Sequence, residues 1–226
     1  MGELSCVDEV NDVLLGIELE KFGLMSSYTW KVDPKRLVFT LSRYKFVSKM
    51  LYGKDNVLEV GCGDGFGSKI VASAVKKISL IDVEPIFIDD IKKRIGSANE
   101  NIVFYHDILS SPVPDTFDGI YSLDVLEHIP EEKEDAFLEH IYASLSQGGA
   151  LIIGMPSLES QLYASPPSKA GHVNCKTGEA LRALCKKYFE NVFMFSMNDE
   201  VVHTGFFPMA HYLFAVCCGK RSLANI

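Results

Sequence analysis

A glycine-rich turn between an apolar strand and an amphipathic helix constrains the fold of this chain more than any other feature. The stretch VLEVGCGDGFGSKIVASAV (residues 57–75) carries glycine at positions 61, 63, 65 and 67. Glycine adopts positive φ angles and lets the backbone approach a ligand closely. A helix that starts at such a turn adds free N–H groups and the positive end of its dipole. The stretch therefore predicts a site for a polar or anionic ligand at the end of a strand.

Two phosphate-binding loops do not fit this turn. A P-loop needs the pattern GxxxxGK[ST], whereas the order here is Gly67-Ser68-Lys69, which puts the lysine in the wrong place. A dinucleotide fingerprint needs GxGxxG, and counted from Gly61 the third glycine position holds Phe66. The turn thus argues against a P-loop NTPase and weakens the case for a nicotinamide-dependent dehydrogenase.

The alternation of short apolar runs with longer amphipathic ones predicts an α/β fold. This is the βαβ rhythm of a mostly parallel sheet that is covered by helices on both faces. The apolar runs predict seven strands, at residues 56–60, 77–82, 101–105, 117–122, 149–154, 191–197 and 209–218. Helical periodicity and a helix-stop signal predict helices near residues 66–75, 85–95, 132–146 and 176–188. We therefore expect a doubly wound, Rossmann-like sheet within residues 51–226.

Two segments do not follow this alternation of strands and helices. Residues 1–50 predict an N-terminal helical cap or lid, in which Asp33 is the N-cap of a helix and Pro34 its first residue. Residues 155–175 are rich in proline, serine and glycine and are too long for an ordinary connection. Loops of this length usually carry function. We expect residues 20–32 and 157–173 of these segments, together with residues 199–208, to close over the ligand and to shape a substrate pocket.

Five segments of the chain together resemble the class I S-adenosylmethionine-dependent methyltransferases. The residues from Glu59 to Gly65 match the E/DxGxGxG motif of that family. The segments IDVEP, YHDIL, FDGIYSLDVLEHIP and LSQGGALIIGMP then follow in the family's order, so that the resemblance covers roughly residues 50–218. It implies a seven-stranded sheet in the order 3-2-1-4-5-7-6 whose last strand is antiparallel.

The resemblance also implies S-adenosyl-L-methionine as the cofactor. In the family, the position of Asp82 binds the ribose hydroxyls, that of Asp107 contacts the adenine amine, and the backbone around Asp124 lines the methionine end. Ligands of open α/β sheets bind outside the carboxyl ends of the strands, where these carboxylates fall. The residues expected to contact the cofactor are Glu59, Gly61, Cys62, Gly63, Gly65, Asp82, Val83, Asp107, Ile108, Leu123 and Asp124.

Histidine is the residue type best suited to take a proton from a methyl acceptor. Its pKa lies near physiological pH, so it can act as a general base toward a hydroxyl or a protonated amine. Among the six histidines, His172 lies in the long loop after the fifth strand, His203 in the connection before the last strand, and His128 just after the fourth strand. We expect these three as catalytic residues. No aspartate-asparagine pair after the fifth strand resembles a magnesium site, so no catalytic metal is expected.

The charge and composition of the chain limit the classes of partner that it can bind and the compartment in which we expect it. Its net charge of −8 disfavours phosphate backbones and anionic membrane surfaces. No stretch approaches the roughly 18 apolar residues of a transmembrane helix, and no secretory signal is visible. The six cysteines show no CxxC spacing, which is typical of reduced thiols. We therefore expect a cytoplasmic protein with a small-molecule substrate and without nucleic-acid or membrane partners, whose oligomeric state the sequence leaves open.

Methyl transfer to an oxygen or nitrogen of a small metabolite is the function that these features favour. The first alternative uses the same type of pocket for aminopropyl transfer from a related cofactor. The second is a non-catalytic regulatory protein that binds S-adenosylmethionine. A nicotinamide-dependent dehydrogenase ranks third.

Overall fold

The computed structural model, which describes residues 6–95 and 102–222, is built around a mixed sheet of eight strands. The strands are β1 (Asn56–Val60), β2 (Lys77–Asp82), β3 (Ile102–Tyr105), β4 (Phe117–Leu123), β5 (Leu145–Pro156), β6 (Phe189–Asn198), β7 (Val201–His203) and β8 (Tyr212–Lys220). Their order across the sheet is β3-β2-β1-β4-β5-β8-β6-β7. Neighbours from β3 to β5 are parallel, whereas β8 runs antiparallel to β5 and to β6.

The doubly wound order expected from the sequence is confirmed, with one strand more than expected. β8 takes the place of the seventh strand between β5 and β6, and its antiparallel direction is confirmed. The additional strand is β7, which forms a hairpin with β6 across a turn in which Asp199 has a φ of 47°. Its three residues are too few to produce a recognisable period-two pattern. Residue 101, which was expected to open the third strand, lies outside the described residues.

The helices cover both faces of the sheet. They are α1 (Cys6–Leu15), α2 (Leu24–Val32), α3 (Pro34–Met50), α4 (Ser68–Ala72), α5 (Pro85–Ile95), α6 (Glu134–Ser144), α7 (Pro166–Gly171) and α8 (Gly178–Lys186). Side chains of α3, α4 and α5 pack on one face of the sheet, and side chains of α6 and α8 pack on the other. The alternation along β1 sends Val57 to the first of these cores and Leu58 to the second, as the period of a strand requires.

The N-terminal region belongs partly to the core and partly to the roof of the site. Helix α3 begins at Pro34 as predicted, although the side chain of Asp33 makes no capping hydrogen bond. Its second half is anchored by Phe46 and Val47 in the core under the sheet. Residues 1–5 of the expected cap lie outside the described residues. No helix in the described part of the chain combines the length and the apolar character needed to cross a membrane.

A cavity at the carboxyl edge of the sheet

A cavity of about 790 Å³ opens at the carboxyl ends of β1, β2 and β4. Helices α2 and α3 cover it, because residues such as Ser26 of α2 and Tyr44 of α3 contribute to its lining. Most of the residues predicted to contact a cofactor also line it. These are Gly61, Cys62, Gly63, Asp82, Val83, Asp107, Ile108, Leu123 and Asp124. The cavity therefore lies where parallel α/β sheets bind their ligands.

The glycines of the turn are required by its backbone geometry. Gly61, Gly63 and Gly65 have φ angles of +77°, +52° and +64°, in the left-handed region that other residues avoid. A Cβ atom at Gly61 would stand 2.3 Å from Cγ2 of Val125, whereas one at Gly63 would meet no atom within 4 Å. Gly61 therefore permits a close packing contact, and Gly63 leaves open space beside the cavity that it lines.

Asp82 links the end of β2 to the glycine turn. One of its carboxylate oxygens accepts a hydrogen bond from the N–H of Gly63 (2.8 Å) and the other from the N–H of Glu84 (2.9 Å). The side chain is mostly buried, and both Asp82 and Glu84 line the cavity. Each carboxylate oxygen has a second lone pair, so Asp82 can accept further hydrogen bonds from a ligand while it holds the turn.

Two of the residues predicted to bind a cofactor lie behind the wall of the cavity. Glu59 is 1% exposed, and its carboxylate accepts a hydrogen bond of 2.6 Å from the hydroxyl of Tyr121. Burial raises the pKa of Glu59 to about 7, against the opposing effect of the hydroxyl groups around it. Gly65 faces Ile91, whose Cδ1 atom would lie 3.0 Å from an added Cβ. Both residues support the turn rather than line the cavity.

Asp107 stands on the more exposed side of the cavity. Its carboxylate accepts hydrogen bonds from the hydroxyl of Ser110 (2.6 Å) and from the N–H of Leu109 (2.9 Å). The bond from Ser110 is the main cause that lowers the pKa of Asp107. Asp107 therefore presents a charged acceptor near the end of β3.

Arg43, which the sequence analysis did not select, joins α3 to the end of β4. Its guanidinium forms an ion pair with Asp124 and lies over the rings of Phe39 and Tyr212, 4.2 Å and 3.8 Å from their centroids. Asp124 has a φ of 57°, and its N–H donates to the carbonyl of Gly154 (2.9 Å). The other buried residues of α3 are the apolar Leu37, Phe46 and Val47. A charged residue on the same face of the helix was therefore the sequence signal for Arg43.

Two of the three predicted catalytic histidines meet at the cavity. His128 and His172 both line it, and their ring centroids are 5.2 Å apart. Nδ1 of His128 donates to the carbonyl of Gly171 (2.8 Å), and Nδ1 of His172 bonds to the amide oxygen of Gln161 (2.9 Å). Burial is the main cause that lowers the pKa of His172, and the neighbouring His128 adds to it.

His203 does not join this pair. It lies on the edge strand β7, separated from β4 by β5, β8 and β6. One ring nitrogen bonds to Asn198 and the other accepts from the N–H of Gly205, both at 2.9 Å. The bonds within the β6–β7 hairpin thus occupy both nitrogens, and His203 is absent from the lining of the cavity.

Glu127 is a second residue that the sequence analysis missed. It is 1% exposed, and neither carboxylate oxygen has a hydrogen-bond partner among the described residues. Burial raises its pKa well above the ordinary value, and the nearby charge of Asp124 acts in the same direction. The sequence signal for Glu127 was its position directly before His128 and shortly after the end of a strand.

A second cavity of about 770 Å³ adjoins the first. Arg36, Arg43, Pro156 and His172 line both, so His172 stands at their boundary. The long segment after β5 contributes Gln161 and its neighbours, and the β6–β7 turn contributes Asp199 and Glu200. Residues of the segments 157–173 and 199–208 therefore face this second cavity.

Comparison with known proteins agrees with this geometry. Residues 57–149 match the family described as "Methyltransferase domain". A ubiquinone biosynthesis O-methyltransferase of Xanthomonas euvesicatoria is 27% identical over 145 residues, which are 60% of this chain and 59% of that protein. The chain thus matches less than two thirds of the length of this relative.

Solved structures share the fold. The N-methyltransferase NodS of Bradyrhizobium japonicum, in complex with S-adenosyl-L-homocysteine, aligns with a TM-score of 0.62 at 21% identity, covering 84% of this chain and 91% of NodS. A TehB-like SAM-dependent methyltransferase of Corynebacterium glutamicum aligns with a TM-score of 0.61 at 19% identity, covering 94% of each chain. At these identities the likeness concerns the fold.

Proposed function

We propose that this chain is a class I S-adenosylmethionine-dependent methyltransferase and that it transfers the methyl group of that cofactor to a small metabolite. The observation that carries the proposal is the shared cavity. In it, the glycine turn and Asp82 face the same space as His128 and His172. A donor site and a pair of proton-accepting groups are thus combined in one enclosure.

The residues of the cavity fit S-adenosyl-L-methionine. The open space beside Gly63 allows a ligand to approach the backbone, and the carboxylates of Asp82 and Asp107 at adjacent strand ends suit a ribose diol and an adenine amine. Asp124, which directly follows β4, lines the same cavity, and its backbone would hold the methionine end. When bound, the cofactor supplies a methyl group activated by a positive sulfonium.

Several features support a small acceptor. The donor cavity is roofed by α2 and α3, and the second cavity that adjoins it at His172 is of similar size. Volumes of this order are typical of small-molecule sites. The net charge of −8 opposes nucleic acids. Free cysteines at 62, 175, 185, 217 and 218 are consistent with the reducing cytoplasm, which we propose as the location.

We further propose that His172 and His128 lower the cost of removing the acceptor's proton. With Nδ1 of each ring engaged in a hydrogen bond, Nε2 remains as the nitrogen with a free lone pair. His172 stands between the two cavities, where an acceptor would meet the methyl donor. Arg43 and Asp124 fix the neighbouring wall, which helps to hold the acceptor in line.

Calorimetric titration tests the cofactor assignment. We expect saturable binding of S-adenosylhomocysteine and of S-adenosylmethionine, and no binding of NAD, because Phe66 replaces the third glycine of the dinucleotide fingerprint. Tight binding of NAD without a response to S-adenosylhomocysteine would overturn the assignment. A marked preference for decarboxylated S-adenosylmethionine would instead favour aminopropyl transfer.

Asp82→Ala is expected to weaken the binding of S-adenosylhomocysteine by about 10- to 100-fold, which corresponds to the loss of roughly 1.5–3 kcal/mol from charge-assisted hydrogen bonds. Calorimetry on the purified variant measures the dissociation constant, and circular dichroism checks its fold. Glu84→Gln is the matched control, because Glu84 lines the same cavity two residues later. If Glu84→Gln weakens binding and Asp82→Ala does not, Glu84 is the ribose ligand.

A further inference from the structure

A cluster of three potential metal ligands lies at the cavity and consists of Glu127, His128 and His172. The proposed function assigns a role to the two histidines but none to Glu127. One ligand atom from each residue, two imidazole nitrogens and a carboxylate oxygen, lies within 4.8 Å of the other two. Ligands that surround one tetrahedral zinc ion at its usual bond lengths stand about 3.4 Å apart. Small side-chain rotations would therefore bring these three atoms onto a common ion.

The carboxylate of Glu127 lacks a counter-charge bonded to it. Asp124 beside it is paired with Arg43, but both oxygens of Glu127 have no hydrogen-bond partner among the described residues. Burying a carboxyl group without a hydrogen-bond partner is costly, and buried polar groups normally have a partner. Glu127 is among the residues that line the cavity, so a small cation in the cavity would lie close to its side chain.

Both histidines are held in the form that binds metals. The carbonyl of Gly171 can only accept, so Nδ1 of His128 carries the proton and Nε2 keeps its lone pair. The amide of Gln161 donates from its nitrogen to the carbonyl of Ser157, which turns its oxygen toward Nδ1 of His172. Metal-binding histidines typically donate their second ring N–H to a carbonyl in this way.

The backbone fixes the cluster before any ligand binds. The carbonyl of Glu127 accepts hydrogen bonds from the N–H groups of Val173 (2.8 Å) and Asn174 (3.0 Å). These bonds tie the residues after β4 to the end of the long segment that carries His172. Two adjacent potential ligands and a third from a distant part of the sequence are thus held together by main-chain contacts.

We propose that Glu127, His128 and His172 bind a divalent transition-metal ion of the zinc type. Two imidazoles and one carboxylate are the ligand set of catalytic zinc sites, which keep an open position for water or substrate. This departs from the expectation, drawn from the sequence, that the chain has no catalytic metal.

The proposal deepens the proposed function and rests on it for the role of the ion. In the open position, the ion binds an oxygen of the acceptor and lowers the pKa of its hydroxyl group, as Lewis acids do. The acceptor class is then a hydroxyl compound, and the product is its methyl ether. The proton of the hydroxyl passes to solvent or buffer, the acceptor oxygen forms the new bond to the methyl carbon, and the bond between that carbon and sulfur breaks.

Cobalt(II) is the probe for the test, because its visible absorption reports on coordination. The full chain, dialysed against EDTA and then freed of it, is titrated with Co²⁺ and, in competition, with Zn²⁺. We expect one equivalent of Co²⁺ to bind and Zn²⁺ to displace it. Glu127→Gln and His172→Ala should each weaken binding by more than about tenfold, since loss of even an outer partner of a ligand costs that much.

His203→Ala is the matched control, since it removes a histidine whose nitrogens are bonded within the β6–β7 hairpin. It should leave the affinity for Co²⁺ unchanged. The proposal is overturned if Co²⁺ does not saturate the protein, or if Glu127→Gln, which preserves the size of the side chain, binds it as well as the wild type. Titration of the same samples with S-adenosylhomocysteine separates this failure from a failure of the proposed function.

Discussion

Replacing His172 by alanine is expected to lower turnover by about 10²- to 10⁴-fold, the range associated with the loss of general acid-base assistance. The affinity for S-adenosylhomocysteine should stay nearly unchanged, because His172 stands at the boundary with the second cavity, away from the glycine turn. A loss confined to turnover indicates an interaction made in the transition state. Turnover is measured with an acceptor found by screening hydroxyl and amino metabolites with labelled cofactor.

The companion variants decide how the histidines act. His128→Ala should also lose turnover, since its ring is 5.2 Å from that of His172. If both variants keep full turnover across the pH range in which histidine titrates, alignment of donor and acceptor alone accounts for catalysis. If His203→Ala alone loses turnover, the hairpin histidine predicted from the sequence is the base. If methyl transfer by the wild type persists after EDTA treatment, the histidines accept the proton directly and do not act through a bound metal ion.

Gly63→Ala is expected to reduce the affinity for S-adenosylhomocysteine by at least about 100-fold, because loss of close backbone approach forfeits several hydrogen-bonding contacts at once. The added methyl group meets no protein atom within 4 Å. Its effect on the fold should therefore be limited to the cost of a left-handed residue, about 1–2 kcal/mol. Calorimetry gives the affinity, and denaturant unfolding gives the stability.

Gly53→Ala provides a matched control for that cost. Gly53 has a φ of +76°, a Cβ there also meets nothing within 4 Å, and the residue does not line the cavity. It should lose similar stability and keep its cofactor affinity. Gly61→Ala should lose more stability than either, because its methyl group would stand 2.3 Å from Val125. Equal affinities in the Gly53 and Gly63 variants would show that the turn does not contact the cofactor.

Local patterns were sufficient to predict every strand of the sheet except β7. β1 and β2 have the predicted bounds, because buried parallel strands appear as continuous apolar runs between turn signals. The glycine turn could also be predicted from the sequence, because the positive φ angles at Gly61, Gly63 and Gly65 require glycine at these positions. The residues predicted to bind the cofactor lie at the ends of parallel strands. The topology of the sheet places these ends side by side, so this part of the cavity could be predicted.

The acceptor side could not be predicted in the same way. Its contacts join residues distant in sequence, such as Arg43 with Asp124, or the carbonyl of Glu127 with Val173. Whether His203 faces a pocket or a hairpin depended on β7, whose three residues carry no periodic signal. Glu127 was missed because a carboxylate next to a turn is usually solvated, and its burial depends on how the long segment after β5 folds over it.

The attachment of α2 to the glycine turn makes the roof of the cavity part of the donor site. The N–H of Ser26 donates to the carboxylate of Asp64 (2.6 Å), and the ring of Phe22 packs edge-on against Phe66 at 4.8 Å. A ligand that contacts both the turn and α2 would therefore link its own binding to the docking of α2, and each would change the other by the same factor. A donor molecule bound beneath α2 would leave only when these contacts open, so the opening of α2 becomes a step of every turnover.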